Sequence, residues 1–189
     1  VNNTQLQTLE ISEPENGSIN SAKTVDIKGK ASTNALVVVQ SPIKTVVEKH
    51  KPDIVIHLAS NVSNDPILCL EDIEVIINLL KTCCRYKVQK FIFTSSAAVY
   101  GNNFPITNPV NPYGISKLQC EQWCDHYKQF MNILILRLGN IYGPNGKGVI
   151  NEFIKNIKAN EQLIIFGNGY QSRNYVYIDD VIEIINNYL

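Results

Sequence analysis

Two short, almost wholly apolar runs, separated by one helix-length segment, constrain this chain more than any other feature. Asp53 to Leu58 reads Asp-Ile-Val-Ile-His-Leu, and Lys90 to Thr94 reads Lys-Phe-Ile-Phe-Thr. Runs this short and this continuous suit strands buried on both faces. Between them, residues 66–86 place Leu70, Ile73, Ile76, Ile77 and Leu80 along one side of a helix. Strands joined by a crossover helix of that length lie parallel in one sheet. The alternation continues with a helix over 112–130, a strand over 132–138, a helix over 148–159, short strands over 163–166 and 175–178, and a helix from Asp179. The expected fold class is therefore α/β, a parallel sheet with helices on both faces.

The first forty residues differ in style, being polar and rich in Asn, Ser, Thr and Glu. Leu9 to Ile11, Thr24 to Lys28 and Ala35 to Val39 read as strands, with turns at 14–18 and 29–34. The pattern predicts a β-meander over residues 1–40, ahead of an α/β domain over 41–189. Ser41 and Pro42 predict the start of a helix, with Ser as cap and Pro in the first position, ending near Lys51 and Pro52. Val46 and Val47 should face inward. The strand at Val37 to Val39 is then expected to dock parallel beside Ile54 to Leu58, as a βαβ unit of ordinary length. Its turn at Gln40 and Ser41 has no glycine.

Composition excludes several function classes. Lys plus Arg is 17 and Asp plus Glu is 17, so no basic surface for nucleic acid or anionic lipid is expected. No apolar run approaches the ~20 residues of a membrane span, and no secretory leader is read at the N-terminus. The five cysteines show no zinc-type spacing, so no metal is expected. They read as reduced thiols of a cytoplasmic protein.

Chemistry is first visible in Asn111-Pro112-Tyr113-Gly114-Ile115-Ser116-Lys117. Tyr and Lys four apart on a helix point the same way. A neighbouring ammonium favours the ionised phenol, which predicts a lowered Tyr113 pKa and a general acid/base there. The run Phe93 to Gly101 ends a buried strand, and ligands of open α/β sheets bind beyond the carboxyl ends of strands. Ser96 sits at that rim, within reach of a substrate oxygen.

These segments together resemble the NAD-dependent epimerase/dehydratase family, the extended short-chain dehydrogenases typified by UDP-glucose 4-epimerase. The resemblance runs from about Val46 to about Ile184. It rests on residues 51–59, Asp65-Pro66, 94–101 and 112–117. It continues through Leu-Arg-Leu-Gly-Asn-Ile-Tyr-Gly-Pro at 136–144 and Gly-Asn-Gly-Tyr-Gln-Ser-Arg-Asn-Tyr-Val-Tyr-Ile-Asp-Asp-Val at 167–181.

The resemblance implies a Rossmann-like domain that uses NAD on a nucleotide-sugar, most simply a UDP-sugar. It implies Ser96, Tyr113 and Lys117 as the catalytic set, with Lys117 also on the nicotinamide ribose. Ala59, Ser60, Thr94 and Ser95 would line the cofactor. Ser96, Asn140 and Arg173 would hold the substrate, Arg173 on the diphosphate. It further implies a homodimer through the long helices. Family 4,6-dehydratases carry an Asp-Glu pair directly after this Ser/Thr; here Ala97 and Ala98 stand there, which favours an epimerase.

The chain also departs from that pattern. The family's first strand and Gly-x-x-Gly-x-x-Gly turn have no counterpart, so the Rossmann-like unit is expected to be incomplete at both ends and its activity impaired. Asp72 stands where Asn is usual. Residues 9–39 resemble part of a bacterial immunoglobulin-like repeat, which suggests a fusion near Gln40. The alternative function is a non-catalytic fragment or surface/interaction module built on an enzyme remnant.

Overall fold

The computed structural model describes residues 23–27, 33–38 and 43–189, with side chains from Val47 onward. The expected strand at Leu9 to Ile11, the turn at 14–18, the cap at Ser41 and the side chain of Val46 lie outside the described residues. The chain forms two compact units, Val1–Leu136 and Arg137–Leu189.

The first unit is built on a sheet of five strands in the spatial order β1-β2-β3-β4-β5. These are β1 (Lys23–Ile27), β2 (Thr33–Val38), β3 (Ile54–His57), β4 (Lys90–Ser96) and β5 (Asn132–Leu138). The helices are α1 (Ile43–His50), α2 (Pro66–Arg85) and α3 (Pro112–Tyr127). β2 lies parallel beside β3, with Ala35 opposite Ile54 and Val38 opposite His57, as the βαβ reading predicts. β3 and β4 are parallel, with Val55 opposite Phe91. β1 closes the edge antiparallel to β2, with Lys23 opposite Val37. An edge strand on β2 caps a row of backbone groups that would otherwise invite association.

Both faces of the central strands are buried, which is why their sequences are continuous rather than alternating. Val55, Phe91 and Phe93 pack against Val47 of α1, Ile76, Leu80 and Cys83 of α2, and Cys120 and Cys124 of α3. On the opposite pleat, Ile54, Ile56 and Ile92 are also buried. Each such side chain contributes roughly 1.5–3 kcal/mol through burial. α1 packs on α2, and α2 packs on α3.

α2 begins as its sequence dictates. Asp65 accepts a hydrogen bond from Ile67 N at 2.8 Å, and Pro66 fills the first position. Four of the five residues expected on its inner side are there: Ile76 and Leu80 are buried, and Ile73 and Ile77 pack against the core. Cys69, Ile76, Leu79, Leu80 and Cys83 point inward, and Leu70 is 60% exposed. Spacing alone admits Leu70 or Cys69 as the inward residue of the first turn; the position of α3 and the sheet selects Cys69.

The second unit contains β6 (Asn140–Tyr142), α4 (Val149–Lys158), β7 (Tyr175–Tyr177) and α5 (Ile178–Tyr188). β6 and β7 pair in parallel, Ile141 opposite Val176. The expected strand over 163–166 does not form. Ile164, Ile165 and Phe166 are 61%, 61% and 82% exposed; β propensity without a sheet edge to join does not make a strand. Among the described residues no helix is long and apolar enough to cross a membrane.

Candidate active site

The site of the first unit forms where β4 ends. Ser96 is the last strand residue, and its Oγ accepts from Ala98 N at 3.1 Å, capping a short 3-10 helix over Ala97–Tyr100. The chain returns to α3, whose first turn is fixed by Asn111 Oδ1 accepting from Gly114 N at 2.8 Å. Pro112 again fills the first helical position. Gly114 is required by the approach that follows. A Cβ there would lie 2.6 Å from the carbonyl oxygen of Ala98 and 3.0 Å from Pro109 Cβ. Without a side chain at 114, the start of α3 rests on the 3-10 helix, and the Tyr113 phenol comes beside the Ser96 hydroxyl.

Lys117 follows one turn later and is buried. Its Nζ donates to the carbonyl oxygen of Thr94 at 2.9 Å, lies 4.9 Å from the centre of the Phe93 ring and 5.9 Å from that of Tyr113. The Thr94 hydroxyl donates to the carbonyl oxygen of His57 at 3.1 Å, fastening the carboxyl ends of β3 and β4 together. The three residues expected to act together, Ser96, Tyr113 and Lys117, thus meet at one rim of the sheet.

The electrostatics differ from the expectation in one respect. Tyr113 has its pKa raised, not lowered: burial of the phenol dominates, the Ser96 hydrogen bond acts the other way, and the carboxylate of Asp72 adds to the rise. Burial thus outweighs the neighbouring ammonium, whose Nζ is bonded to the Thr94 carbonyl oxygen and lies 5.9 Å from the centre of the Tyr113 ring. Lys117 itself is lowered, by burial above all, with Cys120 and Asp72 opposing. His57 lies in the same face of the sheet, stacked at 6.0 Å on Phe93 and 6.4 Å on Phe91. Burial, then the charge of Lys117, pushes its pKa down to about 3. The imidazole is therefore neutral, and its Nδ1 has no hydrogen-bond partner.

Ala59 and Ser60 are half-buried in the segment after β3. That segment is held by a residue the sequence reading treats only as a deviation. Asp72 accepts from Ser60 Oγ at 2.8 Å, from Asn61 N at 2.9 Å and from Asn61 Nδ2 at 2.9 Å. The signal was available as an acidic residue beside the apolar stripe of α2. Ser95 is buried and its hydroxyl donates to Glu121 of α3, so its side chain is engaged inside the core. Glu121, one turn beyond Lys117, was not singled out by sequence.

In the second unit, Asn140 and Arg173 come together in a cavity of about 520 Å³, walled by Val149, Phe153, Phe166 and Tyr175. That volume lies in the range of small-molecule sites, roughly 300–1,000 Å³. Asn140 donates from N at 3.1 Å and from Nδ2 at 3.2 Å to the carbonyl oxygen of Asn174, tying β6 to the approach of β7. Arg173 is exposed, and its Nη1 donates to the Ser172 carbonyl oxygen at 2.9 Å.

A model of the NAD dependent epimerase/dehydratase family matches residues 16–189. The chain belongs to the NAD-dependent epimerase/dehydratase family. The matched span takes in β1 and β2, upstream of the residues that carry the motifs. A putative UDP-glucose 4-epimerase of Methanocaldococcus jannaschii is 40% identical over 154 residues, 69% of this chain and 50% of that protein. A dTDP-D-glucose 4,6-dehydratase of Dictyostelium discoideum is 36% identical over 169 residues, 75% of this chain and 39% of that protein. The crystal structure of UDP-glucuronic acid 4-epimerase from Bacillus cereus, in complex with UDP-glucuronic acid and NAD, superposes with a TM-score of 0.66. It is 30% identical and covers 78% of this chain and 52% of that one. The chain spans about half the length or less of the two curated relatives.

Proposed function

We propose that this epimerase/dehydratase family chain carries the acid/base centre of a nucleotide-sugar epimerase, with Ser96, Tyr113 and Lys117 as its catalytic set. The observation that carries this reading is their convergence at the carboxyl end of β4, beside the segment after β3. Tyr113 holds the proton exchanged with a sugar hydroxyl, at its phenolic oxygen. Ser96 hydrogen-bonds that phenol and orients the hydroxyl to be oxidised. Lys117, anchored on the Thr94 carbonyl oxygen, supplies a fixed positive charge and donors for ribose hydroxyls.

These donors fit the nicotinamide-ribose half of NAD, with Ala59, Ser60, Thr94 and the backbone of Ser95 along it. When bound, NAD supplies the hydride acceptor and donor for the sugar carbon. The pyrophosphate half fits less well. The link from β2 to α1 reads Val39-Gln40-Ser41-Pro42 and carries no glycine, the residue type that lets such a turn approach a pyrophosphate closely. NAD affinity is therefore weak in this chain. The second-unit cavity, with Arg173 for a diphosphate and Asn140 beside it, suits the nucleotide of a UDP-sugar. Ala97 and Ala98 supply no carboxylate for water elimination, which favours epimerisation over dehydration. The thiols and the pH-neutral charge balance fit a cytoplasmic setting.

The reading is tested by incubating the full chain with NAD and a panel of UDP-sugars and following the C4 epimer by chromatography. Slow epimerisation abolished in Tyr113→Phe supports it. No product from any sugar, with Tyr113→Phe indistinguishable from the parent, favours a non-catalytic module instead.

A further inference from the structure

A second cavity of the first unit lies far from the rim where Tyr113 and Lys117 meet. It has a volume of about 420 Å³ and opens between α1 and the last turns of α2. That volume is in the range of small-molecule sites, roughly 300–1,000 Å³. α2 starts at the carboxyl edge of the sheet and rises about 1.5 Å per residue, so Lys81 and Arg85 stand more than about 20 Å from Pro66, at the opposite end of the helix. Asn78, Lys81, Thr82 and Arg85 fall on one face of α2, being three and four apart. Tyr86 joins them from the C-cap and Glu48 from α1. Thr82 is buried, and its hydroxyl donates to the Asn78 carbonyl oxygen at 2.7 Å, so it closes the floor and leaves the donors to its neighbours. Lys81 and Arg85 are exposed at the mouth, and among the described residues neither has an ion-pair partner, Glu48 included. The helix macrodipole offers about half a negative charge at this end of α2, so two cations one turn apart leave most of their charge unmatched.

We propose that this cavity binds a small phosphomonoester, with its phosphate held between Lys81 and Arg85. The guanidinium fork of Arg85 matches two phosphate oxygens, and the Lys81 ammonium adds a point charge with three donors. The Asn78 amide, one turn back on the same face, adds a neutral donor. Glu48 on the α1 wall repels a second anionic group and accepts from a hydroxyl. The ligand therefore carries one phosphate and a hydroxyl-bearing remainder, which the Tyr86 ring flanks. Such a ligand joins α1 to α2 and stabilises the folded chain by mass action. The site shares no residue with the catalytic set, so it stands or falls independently of the epimerase reading.

The test is amide NMR of the full chain titrated with sodium phosphate at pH 8, with ionic strength held constant by sodium chloride. The backbone amides of residues 78–86 should shift and saturate. Glutamine keeps helix propensity at these exposed positions, and Lys81→Gln or Arg85→Gln should weaken the binding about tenfold or more. Arg173→Ala, in the second unit, should leave these shifts as they are. Ribose 5-phosphate should displace the phosphate from the same amides. Shifts that are absent, that never saturate, or that persist unchanged in Arg85→Gln overturn the site. Phosphate that ribose 5-phosphate fails to displace overturns the assignment to a phosphomonoester.

Discussion

The Nζ of Lys117 lies 2.9 Å from the carbonyl oxygen of Thr94 and donates to it, which places a buried ammonium against the end of β4. Thr94 in turn donates its hydroxyl to the carbonyl oxygen of His57 on β3. One lysine thus joins α3 to the two central strands at the edge where a ligand of such a sheet binds. Its burial carries a desolvation cost, which the Thr94 carbonyl oxygen and the face of Phe93 offset in part.

Gly114→Ala should separate structure from chemistry at this point. Its Cβ would meet the Ala98 carbonyl oxygen at 2.6 Å, and backbone cannot yield as a flexible side chain does. The start of α3 would lift from the 3-10 helix and Tyr113 would lose Ser96. Urea denaturation should show a loss of about 1–3 kcal/mol, in the range for overpacking. A variant as stable as the parent would mean that the two turns are not in forced contact.

His57 predicts how stability depends on acid. Its pKa is about 3 in the folded protein against 6.5 ordinarily. Between those values the unfolded chain binds the proton and the folded one does not, so stability is full above pH 6.5 and falls as the pH drops toward 3. The loss from this group should be about 1.4 kcal/mol per pH unit. Denaturation of the parent and of His57→Leu at pH 8, 6 and 5 checks this. The parent should lose about 2 kcal/mol more than the variant by pH 5, whereas parallel curves would mean that the imidazole charges freely within the fold.

The cysteines should differ in reactivity. All five are free, and Cys69, Cys83, Cys120 and Cys124 are buried, while Cys84 is partly exposed. Burial also raises the pKa of Cys83, Cys120 and Cys124, which suppresses the reactive thiolate. Brief iodoacetamide treatment at pH 8 followed by peptide mass analysis should label Cys84 first, and the other four should react on unfolding. Early labelling of Cys120 or Cys124 would mean that α3 opens readily.

Much of this was legible in the sequence, for reasons that differ by residue. The strands at Ile54 and Phe91 are buried on both faces, so their runs are unbroken and hard to misread. The parallel docking of β2 follows from chain length and handedness. Pro66 and Pro112, each after a capping Asp or Asn, mark helix starts chemically. What sequence could not fix depends on neighbours. Whether Cys69 or Leu70 turns inward is decided by where α3 lies. Leu163 to Phe166 has the composition of a strand but no edge to join. The pKa of Tyr113 follows above all from burial, which helical spacing does not specify. Asp72 looked like a deviation because its partners, Ser60 and Asn61, are joined to it only by the fold.

The most direct test of the central claim is NAD binding to the full chain by titration calorimetry, with Lys117→Ala and Tyr113→Phe measured alongside. The account predicts weak binding in the parent that saturates below millimolar NAD, reduced about tenfold or more in Lys117→Ala. Absence of any saturable heat at millimolar NAD from a folded parent, or binding indifferent to Lys117, would contradict it.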